Sequence, residues 1–251
     1  MSYHADVTVL IPCFNNQSTI ATALDSVLRQ TTPVKQIIVY DDCSQDSSRE
    51  VVRAYGRRVK NVNLIEGNWN QGAGYARGQL ISKVETEFAA FLDADDVWFP
   101  EKIESQITLL KQRSADIVIC DYEVRDVSNR LVGVRRCRQS ISLNAMLIAN
   151  WVPTSMALFR SHICNAEDMP TLRKRQDYAF WLRLFKKHPA LKVVGESKVL
   201  GAYLRQEGSL SSSRVDNLSY NFTAVRWGLG CSPFFAALIV FFNSVSRLTR
   251  V

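Results

Sequence analysis

The chain has 251 residues, 47% of them hydrophobic and 22% charged, with no low-complexity tract, fixed-period repeat or long linker, which excludes a disordered or fibrous protein and allows a substantial core. Its formal net charge of +7 favours an acidic partner, but no helix pairs a continuous basic face with interleaved aromatics, which argues against nucleic acid. Six cysteines, at 13, 43, 120, 137, 164 and 231, are dispersed without a C-x-x-C pair, so reduced, mostly buried thiols are expected rather than a zinc site or disulfide scaffold.

Val7 to Ile11 reads as a short β-branched strand halted by Pro12, reached so early that no signal peptide is expected and a cytoplasmic location is. The Asn-rich turn CFNNQS leads to a helix start at Ser18, with Ile20, Leu24, Val27 and Leu28 at helical spacing. A strand QIIVY and a polar turn DDCSQDS follow, and Ser47 and Glu50 have the spacing of a capping box for the next helix. NVNLIE is then a strand, GNWNQGAGYARG opens a helix to about Val84, FAAFL is a strand, and Ile103, Ile107 and Leu110 mark another helix. Strands such as TVLI, QIIVY and AAFL lack polar alternation, as expected when helices cover both faces of a mainly parallel α/β sheet.

In such sheets ligands bind beyond the carboxyl ends of the strands, where the acid-rich turns DDCSQD and DADD stand. Asp93, Asp95 and Asp96 directly follow an apolar run, and like charges so close are tolerable if they fan into water, useful if a cation sits among them.

Beyond Asp121 the rhythm becomes α+β: a hairpin turning at Ser128 to Arg130, a helix near Ser142 to Ala149, and a short strand SMALF. Asp177 precedes an amphipathic helix that buries Phe180, Trp181, Leu184 and Phe185, where an acid also serves as an N-cap. KVVGESKVLGAYL reads as a strand or strand pair that runs into a Ser-rich loop. The C-terminal PFFAALIVFF is apolar on every side yet shorter than the roughly 20 residues of a membrane span. It fits either a buried core helix or a helix dipping into a membrane surface, with Arg247 and Arg250 near the headgroups.

Four segments in order, VTVLIPCFNN, IIVYDDCSQDSS, FLDADDVWFPEKI and QDYAFWLRL, followed by GSLSS, resemble the family 2 glycosyltransferases over roughly residues 7 to 210. That family comprises inverting enzymes of the GT-A fold, a Rossmann-like sheet flanked by helices, which transfer a sugar from a nucleotide sugar to an acceptor hydroxyl. The resemblance implies a GT-A domain over 1–210, with a nucleotide-binding half of about 1–121 and a smaller α+β acceptor-side half of about 122–210, and a C-terminal helical extension over 211–251.

It also implies site residues. Pro12, Phe14 and Asn15 would lie along the nucleotide, Asp42 would accept a hydrogen bond from uracil N3, and Arg77 would stand near the diphosphate. Asp93, Ala94 and Asp95 form the D-x-D motif, the first acid near the ribose and the last holding Mn2+ or Mg2+, hard ions that share carboxylate and phosphate oxygens. Asp96 would support its neighbours or cap the following helix. Asp177 matches the second acid of the family's E-D pair and would be the general base, and Trp181 would pack under the site or in the core. Three positions depart from the pattern: Gly78 stands where Asn is usual, Gln176 where Glu is, and Gln206 where many members have a metal-facing His.

The expected function is transfer from a UDP-sugar to a lipid-linked glycan in bacterial surface polysaccharide synthesis, at the inner face of the membrane, with Arg173, Lys174 and Arg175 meeting the acceptor's phosphates. A GT-A-like nucleotidyltransferase is disfavoured because PCFNNQST has neither Gly nor Lys, while Gln176 and Gln206 keep a non-catalytic nucleotide-sugar-binding subunit open.

Overall fold

The apolar, β-branched runs of the first half form β1 (Ala5–Cys13), β2 (Val34–Asp41), β3 (Val62–Glu66) and β4 (Phe88–Phe91), in a computed structural model that describes residues 4–205 and 216–248. Between them run α1 (Ile20–Leu28), α2 (Ser48–Arg58) and α3 (Ala73–Ile81). These four strands pair in parallel in the order β3-β2-β1-β4. Alternate side chains leave opposite faces of a strand, and β1 serves two cores accordingly. Val9 and Ile11 pack with α1 and Val52 of α2, whereas Leu10 packs with Ala76 and Leu80 of α3.

The chain continues through β5 (Val97–Trp98), α4 (Lys102–Arg113), β6 (Ile117–Arg125), β7 (Leu131–Arg135), β8 (Ser140–Ile141), α5 (Leu143–Ile148), β9 (Leu158–Arg160), α6 (Gln176–Lys187) and β10 (Val193–Leu204). The sheet order is β3-β2-β1-β4-β9-β6-β10-β5, with β9 antiparallel to both β4 and β6, and β6 parallel to β10. The sheet is therefore mixed, parallel on the side of β1 and interrupted by one antiparallel strand at its centre. β6 and β7 form the expected hairpin, with Asn129 in its turn at φ 61°.

Some local expectations change. The Ser47–Glu50 capping box does not form, because the Ser47 N–H donates instead to Gln17 Oε1 and the Asn16 N–H to Ser48 Oγ, tying this turn to the first loop. The strand expected over SMALF is only Leu158–Arg160, since Thr154–Met156 wind into a 3-10 turn that points Ser155 toward the site. KVVGESKVLGAYL is a single strand with two register shifts, not a pair. The six cysteines are unpaired, but only Cys13 and Cys120 are fully buried.

Two last helices, α7 (Asp216–Leu229) and α8 (Pro233–Leu248), join the core built on α6. Helix α8 is not apolar packing on every side: Ala236, Ile239 and Val240 are buried, while four of its phenylalanines stay exposed. Trp181 is fully buried among Phe159 and Phe180, with its Nε1–H donating to Thr154 Oγ1 at 3.1 Å, so its place is the core.

Candidate functional site

The first loop and the turn after β2 are laced together. Asn15, at φ 54°, donates its N–H to Ser44 Oγ and accepts through Oδ1 from the Gln45 N–H, and Gln17 donates to Asp46. This lacing holds Pro12 half-buried and leaves Phe14 on the surface, 43% exposed. Asp41 and Asp42, at the end of β2, are both buried. Asp41 accepts from the Ser44 N–H, and Asp42 accepts from Gln71 at 3.0 Å and Gly72 at 2.6 Å. Asp42 thus fixes the turn that launches α3, where Gly72 takes φ 88°, a conformation that side chains with a Cβ avoid.

Helix α3 carries Arg77 inward. Its guanidinium is buried, donates from Nη2 to Asp93 Oδ1 at 2.5 Å, and leaves Nε without a hydrogen-bond partner among the described residues. Burial opposes the Arg77 charge, but Asp93, Asp177 and Asp95 outweigh it and raise its pKa. One cation is therefore shared by acids from two distant segments.

Around it, the turn after β4 is held by the core beneath. The Asp93 N–H donates to Ser155 Oγ, and the Trp98 indole donates to the Ser155 carbonyl at 2.7 Å. Below Trp98, at 4.0 Å from its ring, lies the fully buried ammonium of Lys102, which also donates to Gln106 Oε1. Burial lowers the Lys102 pKa to about 8. Ala94 is buried within the turn. Burial and then the Asp93 charge raise the Asp95 carboxyl to about 6. Asp96 is fully enclosed and accepts from the Leu204 N–H at 3.2 Å, and burial, Asp93 and Asp95 push it well up. It does not cap α4, whose N-cap is Glu101, because its side chain turns toward β10 instead.

Asp177 comes from the other side. It is the second residue of α6, whose N-cap is Arg175 at φ 61°, so the N-cap alternative for Asp177 does not hold. Asn150 Nδ2 donates to Asp177 Oδ2 at 2.8 Å, and Asn150 is itself braced by accepting from the Val152 N–H. Arg77, Asp93, Asp96, Gln176 and Asp177 line one cleft of about 380 Å³, with Arg173, Lys174 and Arg175 along its wall. Gly74 makes this approach of α3 and the 170–176 segment feasible, since a Cβ there would meet the Pro170 carbonyl oxygen at 2.1 Å. Gln206 lies outside the described residues.

Sequence reasoning missed Asn150, Ser155 and Lys102. Asn150 had a signal, as a lone polar residue between apolar MLIA and WVP, and Lys102 shares a helix face with buried Ile103 and Gln106. Among the described residues no group of three or more His, Cys, Asp or Glu forms a metal cage. The Asp95 carboxylate, whose charge burial and Asp93 both oppose, nonetheless offers a hard oxygen ligand that fits a divalent ion taking its remaining ligands from a diphosphate.

The family model for "Glycosyl transferase family 2" matches residues 8–164. A relative from Escherichia coli, the UDP-Glc:alpha-D-GlcNAc-diphosphoundecaprenol beta-1,3-glucosyltransferase WfgD, is 27% identical over 84% of this chain and 82% of its own length. A crystal structure of S. aureus TarS 1-349 in complex with UDP-GlcNAc superposes with a TM-score of 0.72 at 21% identity, covering 96% of this chain and 72% of that one. The mannosyltransferase from Pyrobaculum calidifontis in complex with GDP-Man and Mn2+ gives a TM-score of 0.64 at 14% identity over 99% and 76% of the two chains. With a GT-A fold and a matched region spanning most of the sheet and the acid-rich turns, the chain belongs to glycosyl transferase family 2 and is a glycosyltransferase.

Proposed function

We propose that the chain is an inverting, metal-dependent glycosyltransferase that moves a sugar from a UDP-sugar to a hydroxyl of a lipid-linked glycan in surface polysaccharide synthesis, working peripherally at the inner face of the cell membrane. The observation that carries this reading is the meeting of Asp93 and Asp177 in one cleft, with Arg77 electrostatically coupled to both. WfgD, with its UDP-Glc donor and diphosphoundecaprenol-linked acceptor, supports the donor and acceptor classes.

In this reading residues 1–121 bind the donor, 122–210 receive the acceptor, and 211–251 form a helical extension. Pro12, Phe14, Asn15 and Asp42 wall the nucleotide, and Asp93 and Ala94 bring the turn after β4 against the ribose. Arg77 turns part of its fork from Asp93 to phosphate oxygens. Asp95 would hold Mn2+ or Mg2+, which when bound neutralises charge on the leaving diphosphate. Asp177 accepts the proton of the acceptor hydroxyl as its oxygen attacks the anomeric carbon opposite the departing diphosphate, and this single displacement inverts the centre. Asp177 lies beyond the span of the family match, so its role rests on the cleft geometry and the QDYAFWLRL resemblance. Gln176 would serve the acceptor side, as would Gln206, which lies outside the described residues, and Arg173, Lys174 and Arg175 meet the acceptor's phosphates.

A panel of nucleotide sugars, assayed for hydrolysis and binding with and without Mn2+, tests the reading. Turnover and binding of a UDP-sugar that require the metal are expected, whereas metal-independent binding of every nucleotide without turnover would overturn it.

A further inference from the structure

Helix α8 presents two unlike faces. Ala236, Ile239, Val240 and Asn243 are buried, while Phe234, Phe235, Phe241 and Phe242 are 77%, 52%, 63% and 62% exposed. At about 100° per residue, positions separated by one and by seven gather these four rings within roughly 120° of the helix circumference. Phe241 and Phe242 sit edge to face with centroids 5.8 Å apart. Single exposed apolar residues are ordinary on soluble proteins, but four phenylalanines on one helix face make a contiguous patch of the kind that marks an interaction surface.

Charge selects the occupant. From Asn217 to Val251 the chain has no Asp or Glu and three arginines, Arg226, Arg247 and Arg250. An acid-free segment that joins exposed phenylalanines to arginine suits the interface of an anionic bilayer, where rings enter the acyl boundary and cations stay with the phosphates. At 16 residues α8 is too short to span, and no helix among the described residues is long and apolar enough to cross a membrane. We propose that the Phe234, Phe235, Phe241 and Phe242 face of α8 docks this enzyme onto an anionic lipid surface, lying in the plane of the interface.

The placement of α8 gives this docking a geometric use. Helices α6 and α7 run side by side in the same sense, with Lys174 over the Tyr220 ring near their starts and Lys186 donating to the Leu229 carbonyl near their ends. The short turn at Gly230, φ 54°, leads into α8, which packs against α7 and α5. Helix α5 in turn stands beside the start of α6, where the Tyr178 hydroxyl, next to Asp177, donates to the Met146 carbonyl. A docked α8 holds the cleft mouth near the level where a lipid-linked acceptor's phosphates lie. This use rests on the proposed acceptor, but the docking itself does not.

The full chain is tested by co-sedimentation with vesicles of phosphatidylcholine alone and of phosphatidylcholine with phosphatidylglycerol, and by hydrolysis of its UDP-sugar donor in solution. Binding to the anionic vesicles is expected, reduced at least about tenfold in the Phe234→Ser, Phe235→Ser, Phe241→Ser, Phe242→Ser variant, with a smaller loss in Phe241→Ser, Phe242→Ser. Donor hydrolysis is expected to be unchanged in both and reports folding. Absence of vesicle binding by the parent chain, or undiminished binding by the fourfold variant, overturns the proposal. So does a dimer that dissociates in the fourfold variant, which would assign the face to a second copy. A chain that binds vesicles but hydrolyses no nucleotide sugar would overturn the proposed function and leave the docking standing.

Discussion

Two parts of the site are built by different rules. At the ends of β1 and β2, strands run parallel and the two turns secure themselves and each other: Asp41 by Ser44, Asp46 by Ser48, and Asn15 by Gln45 of the neighbouring turn. Where the turn after β4 faces α6, Asp177 depends on Asn150, Asp93 on Ser155 and Asp96 on Leu204, partners 27, 62 and 108 residues away. The two turns beyond β1 and β2 are prearranged by hydrogen bonds within and between them. The cleft between Asp93 and Asp177 exists only once β9, β10 and α6 have packed, so perturbing tertiary contacts should affect it first.

The contrast can be broken from its strongest point. Asp177→Asn should reduce transfer about a thousandfold, the scale of a lost general base, while donor affinity measured by calorimetry stays within a factor of two or so. A fully active variant would remove Asp177 from the chemistry. Gly74→Ala should lower the unfolding free energy by about 2 kcal/mol, because the new Cβ must push away the Pro170 carbonyl, and chemical denaturation reads this directly. A Gly74→Ala protein of unchanged stability would mean that the 170–176 segment is loosely placed.

Smaller effects sharpen the same division. Asn150→Ala should lower kcat roughly tenfold and leave the donor KM unchanged, since it frees Asp177 to rotate without touching the donor side. A rise in donor KM instead would show that the two sides communicate. Donor binding in Mn2+ should weaken several-fold as pH falls through about 6, because protonation neutralises Asp95, and should plateau above that value. The Asp95→Asn variant should lose that pH dependence along with the metal requirement.

Legibility in the sequence divides along the same line. Strands β1 to β4 and their turns were readable because unbroken apolar runs ending in acids carry fold and site together. Asp93, Asp177 and Arg77, expected at one site, do share one cleft. The Arg77–Asp93 pair was not foreseen, since a helix residue and a strand-end residue meet only through the curvature of the fold. Nor was the support beneath: Lys102 reads as solvent-facing by residue type, yet it is enclosed against Trp98. The expected capping box failed for a similar reason, a contact from Gln17 displacing a purely local pattern. Helix α8 had two open readings: the burial of Ala236, Ile239 and Val240 agrees with the core reading for one face, and the exposed phenylalanines leave the other face uncovered.

Strand β10 has a further consequence for where this chain tolerates changes of length. It follows β6 from Val193 to Leu204 and ends by offering the Leu204 N–H to Asp96. Side chains and backbone donors alternate along a strand, so one inserted residue turns every later group to the opposite side. Asp96 would then lose this donor, and a buried carboxyl would be left facing the wrong edge. The hairpin turn around Asn129, by contrast, lies among exposed residues at the end of β6 and β7. Insertions and deletions accumulated over descent should therefore gather at that turn and spare β10, whose length acts as a ruler for the pocket floor.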